Sequence, residues 1–368
     1  MKARWLLCVA GACMVGVCGA EPVSDAEVAD YLVPYKYGKP ILAPSGVPGA
    51  FDELAVDHPK AFVHDGRFYL SYLGYDGISY QTGLAVSDDL LHWTRLGVVF
   101  RRGDSTNGWD RMGRVVSGYL RDNDYYGTQR LLARDGRYYL TYHAYPGKGY
   151  ESGGAANGLA WAASPTSLVW TAHDRPILQK TDTAGDWDAA GLYSAAPYVR
   201  PDGQVWLYYT AKEQRKWPWH EQVGVAFSAD GSLLNWTRHA GNPVCRTGTT
   251  AFDTRFCGGS DMFYDARRKT YVRYYMAFDG RHARVGLGLS RDGLAWRNWP
   301  KCILDVGGPG SLDETHAHKT AFLRKDGRRY LIYCAVRPLK DDAERAKFKK
   351  GRWNEFRCLT IASSEPFN

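Results

Sequence analysis

Cysteine is scarce, and metal-binding spacing is missing. The chain of 368 residues carries eight cysteines, and three of them (Cys8, Cys13, Cys18) fall in the N-terminal stretch. The five that follow, Cys245, Cys257, Cys302, Cys334 and Cys358, are an odd number and give no complete disulfide framework. A Cys245–Cys257 bridge stays open beside five free buried thiols. No CxxC or HxxxH spacing marks a zinc site. Past the N-terminus no segment approaches ~18 uninterrupted apolar residues, which argues against a transmembrane helix. Neither charge dominates: 47 Lys and Arg stand against 39 Asp and Glu, a scattered net +8. The one dense basic run, AERAKFKKGR (343–352), reads as a solvated loop, so no nucleic-acid partner is expected.

What is present begins with a leader. Lys2 and Arg4 precede an apolar stretch from Trp5 to Val17, and Cys18-Gly19-Ala20 ends on a small residue. That is the layout of a cleaved export signal over residues 1–20. A lipoprotein anchor at Cys13 or Cys18 fits less well. Residues 21–36 read as a lead-in, and 37–368 as one domain. Aromatic residues make up 14% of the chain, with 25 Tyr and 13 Trp, more than strands alone require. An excess of flat rings suits a protein that stacks on sugars.

One phrase recurs: DGRFYLSY (65–72), DGRYYLTY (135–142), DGQVWLYY (202–209), DARRKTYVRYY (265–275) and DGRRYLIY (326–333). An Asp-Gly turn before an alternating aromatic run predicts a hairpin. A second phrase follows: GLAVSDDLLHWTR (83–95), GLAWAASPTSLVWTA (158–172), GVAFSADGSLLNWTR (224–238), GLGLSRDGLAWRNW (286–299), and CLTIASSEPF (358–367), cut short by the end of the chain. A third closes each unit but the last: GVVF (97–100), RPIL (175–178), NPV (242–244) and KCIL (301–304). The counterpart missing from the fifth unit, KPIL (39–42), stands before the first. An unpaired sheet edge is a liability, and borrowing KPIL removes it. The expected fold is all-β: a five-bladed β-propeller closed by an N-terminal strand.

Four apolar-Asp pairs, Phe51-Asp52, Trp187-Asp188, Phe252-Asp253 and Leu312-Asp313, repeat too regularly to be catalytic and are expected to fix turns. Five residues further on lie Asp57, Tyr193, Gly258 and His318. Counting eight back from the Asp-Gly turn again matches Asp57 with His318, and places Gly127 in the second blade. A lone histidine in a strand is usually bonded within the core; the placement opposite Asp57 sets His318 apart. Both are expected to face a central funnel. Glu221, in WPWHEQVG (217–224), sits among aromatics that can raise its pKa, or else pairs with a cation at a strand edge. Candidate sugar contacts are His58, Arg130 (placed on the second blade's inner strand), Tyr193, Trp217, Trp219, Asp261, His316 and Lys319. Glu151, in YESGG (150–154), is expected at the rim.

The phrases VDHPKAFVHDGRFYLSY, SDDLLHWTR, GLYSAAPYVRPDGQVWLYYTAK, WHEQVGVAFS and HAHK resemble the five-bladed propeller glycosidases of families 43, 32 and 117 over about residues 37–367. The resemblance implies that Asp57 is the general base of an inverting enzyme or the nucleophile of a retaining one. It also implies a glutamate acid from the third blade, or a histidine, which His318 matches. The sequence departs from that pattern. YYGTQRLL (125–132) offers no inner-strand Asp and GLYSAAPYV (191–199) no Glu, leaving Glu221 or His318 as the acid. The expected activity is an exported, exo-acting glycoside hydrolase on an oligo- or polysaccharide, without cofactor or metal, a structural calcium aside. A phosphorylase needing a basic cluster (Arg130, His316, His318, Lys319) and a non-catalytic sugar-binding propeller are the alternatives.

Overall fold

The Asp-Gly pairs form the turns their chemistry allows. In the computed structural model, which describes residues 21–228 and 230–367, Asp65 and Gly66 take φ of 46° and 75°, and Asp326 and Gly327 take 49° and 79°. Two-residue hairpins of this type need positive φ at both positions, which glycine adopts freely and aspartate tolerates. His64 therefore lies opposite Arg67, and Lys325 opposite Arg328.

The regular structure of the described chain is nearly all β, in repeated antiparallel units. A short β1 (Tyr35–Lys36) comes first. Unit one is β2 (Ala55–His64), β3 (Arg67–Tyr75), β4 (Tyr80–Ser87) and β5 (Thr94–Phe100). Unit two is β6 (Gly113–Tyr119), β7 (Tyr138–Tyr145), β8 (Ala156–Ala162) and β9 (Thr171–Ala172). Unit three is β10 (Gly191–Val199), β11 (Val205–Lys212), β12 (Glu221–Ser228) and β13 (Trp236–Arg238). Unit four is β14 (Phe256–Asp265), β15 (Thr270–Phe278), β16 (Ala283–Ser290) and β17 (Trp296–Asn298). Unit five is β18 (His316–Lys325), β19 (Arg328–Pro338) and β20 (Glu355–Ser363). The strand ladder runs through units three, four, five and one, while unit two is a separate four-stranded sheet joined to its neighbours by single hydrogen bonds such as Leu192 N to Ala155 O, so the ladder itself is not closed.

The repeated phrases have local causes. Ser87 Oγ accepts from Leu90 N, Asp89 Oδ1 accepts from Leu91 and His92 N, and the Trp93 indole donates to Leu90 O at 2.8 Å. Trp170, Trp236 and Trp296 close their own turns in the same way, at 2.8, 2.9 and 3.0 Å. The glycine opening that phrase makes room for a buried tyrosine of the preceding strand: a Cβ on Gly158 would lie 2.3 Å from the Tyr142 ring.

The apolar-Asp pairs are architectural. Asp52 accepts from Arg95 Nε (2.9 Å), Asp188 from Arg238 Nε (3.2 Å), and Asp253 from Thr249 Oγ1 (2.5 Å). In unit five no outer strand follows, and Lys36 of β1 supplies the cation, 2.6 Å from Asp313. β1 pairs with β20, and Ile41 N donates to Leu359 O at 2.9 Å, so the Lys39–Leu42 segment lies along the last unit. A fifth copy, Trp109-Asp110, escaped the sequence reading; Asp110 accepts from the Tyr142 hydroxyl at 3.0 Å.

That missed pair corrects unit two. Its innermost strand is β6, not YYGTQRLL. Residues 120–137 are an insertion before β7 whose backbone bonds to Val63 and Tyr264. Arg130 therefore lies on no inner strand, and its side chain is exposed. Of the two readings left open for the cysteines, the structure shows the free thiols: none of the five is bridged. The export leader and its lipoprotein alternative lie outside the described residues. No helix among the described residues is long and apolar enough to cross a membrane.

Candidate active site

Every inner strand carries a bulge at the same depth. Register shifts fall at Asp57/Lys60, Val116/Gly118, Tyr193/Ala196, Gly258/Asp261 and His318/Thr320. The first residue within the shift is left-handed in four of them: His58 (φ 48°), Ser194 (41°), Gly259 (55°) and Lys319 (52°). A bulge re-aims a side chain, and conformations this uncommon for His, Ser and Lys are held in place only by surrounding structure. His58, Ser194, Gly259 and Lys319 all line one cavity of about 220 Å³.

The cavity floor is a charge cluster. Asp57 is fully buried; its Oδ2 accepts from Lys319 Nζ at 2.7 Å and Arg357 Nη1 at 2.6 Å, and its Oδ1 from His58 N at 2.6 Å. Burial alone would raise its pKa, but the Lys319 and Arg357 charges outweigh it and hold the carboxyl well below the usual range. Asp57 is thus no part of the cavity wall. This departs from the expectation of a base that reaches water: its oxygens are engaged by two cations that themselves face the cavity. His318 does lie beside it, with Cys334, their polar atoms within 4.8 Å. Among the described residues neither ring nitrogen of His318 has a hydrogen-bond partner. Burial, then Lys319, depress its pKa so that it is neutral near pH 7.

Two more histidines, His143 and His316, are also pushed down to about 3, chiefly by burial. His143 Nδ1 bonds Ser117 Oγ at 2.8 Å, and its ring lies 5.5 Å from that of His58. His316 Nδ1 accepts from Ala283 N at 3.0 Å.

The wall carries two carboxyls. Glu221 opens β12 and Glu151 comes from the glycine-rich loop after β7; both line the cavity. Lys212, at the end of β11, stands 3.8 Å from Glu151 and over the rings of Tyr193 (4.6 Å) and Trp219 (4.7 Å). The Trp219 indole donates to Glu221 Oε1 at 3.2 Å. Burial and then the Glu151 charge push Glu221 up to about 7, against the smaller pull of Lys212. A carboxyl half-protonated at neutral pH beside a second carboxyl is what proton transfer to a leaving group requires.

Of the sequence-derived candidates, His58, Tyr193, Trp219, Glu221, His316, His318 and Lys319 line the cavity. Trp217 does not: it is 51% exposed and packs edge-on against Trp219 at 5.1 Å. Asp261 does not line the cavity; it borders a second, smaller one and pairs with Arg121. Arg130 is remote. His143, Tyr150, Lys212 and Arg357 were missed. His143 left a trace, a polar residue straight after the apolar phrase DGRYYLTY; Arg357 left none. The Asp57 cluster does not suit a calcium ion, which takes six or more oxygens, because Asp57 is committed to two cations.

No family model matches the chain, and no curated protein matches it. Solved structures do. A structure of BT0996 in complex with RGII is 26% identical, with 93% of this chain and 95% of that one covered at a TM-score of 0.75. A structure described as a glycoside hydrolase is 25% identical, with 94% and 97% covered at 0.75. The chain resembles glycoside hydrolases. At lower identity the likeness is one of fold: Zg3597, a family 117 glycoside hydrolase of the marine bacterium Zobellia galactanivorans, is 16% identical, with 85% of each chain covered at 0.57. Structures of families 43 and 130 share the fold as well.

Proposed function

We propose that the chain is an exported, exo-acting glycoside hydrolase in which Glu221 and Glu151 perform the bond cleavage. The carrying observation is the pair itself: two carboxyls on one cavity wall, with Glu221 raised to about 7 by burial and by its neighbour. Glu221 protonates the departing glycosidic oxygen. Glu151, the paired carboxylate, attacks the anomeric carbon or directs the water that does, and the anomer first released tells which. Lys212 steadies the charge on Glu151.

The sugar ring stacks on Trp219, and its hydroxyls meet His318, His58, Lys319 and the unpartnered hydroxyl of Tyr193. Asp57 acts from behind, holding Lys319 and Arg357 in place. A cavity of about 220 Å³ with a charged floor suits one sugar residue at a chain end. Trp217, outside it, stands where the rest of the glycan leaves. The five units are read as blades of one closed propeller, supported by the Lys36–Asp313 tie and the Ala55–Arg357 pairing of first and last units. Export follows from the leader.

The test is a panel of chromogenic glycosides and polysaccharides with wild type, Glu221→Gln and Glu151→Gln. Each variant is expected to lose 10²-fold or more in kcat; retention of full turnover by either one refutes the assignment. A second reading, phosphorolysis, draws on Lys319 and Arg357 facing the cavity; turnover that requires added phosphate would establish it.

A further inference from the structure

Beneath the bulges the five inner strands bring Lys60, Gly118, Ala196, Asp261 and Thr320 to one level, each the first residue after its register shift. Lys60, Ser117, Arg121, Asn123 and Asp261 border a second, small axial cavity of about 30 Å³, room for one water-sized occupant.

Its charges do not balance. Lys60 and Arg121 are 7% and 6% exposed, and the single carboxylate among them is Asp261. The acceptors are taken. Asp261 Oδ1 accepts from Arg121 and its Oδ2 from Phe322 N at 2.7 Å. Ala61 O accepts from Arg121 at 2.7 Å, and Asn123 Oδ1 from Val199 N at 3.1 Å. Among the described residues the Lys60 ammonium makes no hydrogen bond or ion pair, and the Asp261 charge, already paired with Arg121, reaches it only at longer range. The buried Thr320 hydroxyl at the same level is also unpartnered. Surplus donors and an uncompensated buried charge are costly unless a partner enters. A cation is repelled there. The small cavity favours a compact anion over a phosphate, and a water brings no charge.

We propose that this axial cavity binds one small monovalent anion, chloride, against the Lys60 ammonium. The site is separate from the glutamate pair and does not depend on the catalytic reading. The test is thermal unfolding of the full chain at constant ionic strength while methanesulfonate is replaced by chloride up to about 300 mM. Wild type should show a rise in Tm that grows with the logarithm of chloride to about 3 °C at the highest concentration, and Lys60→Met should show none. A bromide-soaked wild-type crystal should give an anomalous peak within hydrogen-bonding distance of Lys60 Nζ, which decides the matter even if the variant fails to fold. An unchanged wild-type Tm, a chloride response that survives in Lys60→Met, or a water in place of bromide would each overturn the proposal.

Discussion

Glu221 should set the alkaline limb of the pH–rate profile. An ordinary glutamic acid, with a pKa near 4.5, is about 0.3% protonated at pH 7. Raised to about 7, Glu221 is about half protonated there. The site thus holds roughly 150 times more of the acid form than an unperturbed glutamate would. Turnover should fall tenfold per pH unit above about 7. Lys212 pulls the Glu221 pKa down, so Lys212→Met should move that limb to higher pH. The same shift has a stability sign. Below about pH 4.5 the folded and unfolded chains both carry the proton, and nothing is lost. Between 4.5 and about 7 only the folded chain keeps it, so stability declines, and above 7 the full cost of about 3 kcal/mol is present. Glu221→Gln removes the titration. It should match wild type at pH 4 and exceed it at pH 8.5, by about 3–6 °C in Tm. A profile flat from pH 6 to 9, together with a variant no more stable than wild type at pH 8.5, would refute a raised, proton-donating Glu221.

Asp57→Asn leaves buried Lys319 without its close anion and Arg357 with Glu355 alone. It should cost about 3–5 kcal/mol in denaturant unfolding, whereas a surface-accessible base would lose turnover and keep its stability. Lys36→Met removes the cation that the N-terminal segment lends to Asp313, and should lower unfolding stability by about 1–3 kcal/mol. Trp219→Ala removes the stacking face and a donor to Glu221, so KM for the preferred glycoside should rise at least tenfold while the protein stays folded by circular dichroism. Trp217→Ala should leave KM for a small aryl glycoside unchanged and raise it for a longer glycan.

Much of the architecture was legible because its causes are local. Asp-Gly turns, tryptophan-closed turns and buried Asp anchors act within a few residues of themselves, so they leave a phrase that repeats. The reading failed where a repeat was interrupted. Eight residues back from Asp135 lies Gly127, inside an insertion, because the chain between β6 and β7 is far longer than in the other units. The anchor that would have corrected the count, Trp109-Asp110, lay upstream of it.

The sequence by itself determined the repeated strand units, the structural role of the aspartates and the equivalence of Asp57 with His318, since each depends on spacing along the chain. Only the tertiary structure decided what surrounds each carboxyl. Arg357 reaches Asp57 across 300 residues and closes it off, while a loop of unit two and a strand of unit three set Glu151 beside Glu221. A carboxyl's pKa and reach depend on the charges, dielectric and donors around it in space, and those neighbours come from segments far apart in the chain.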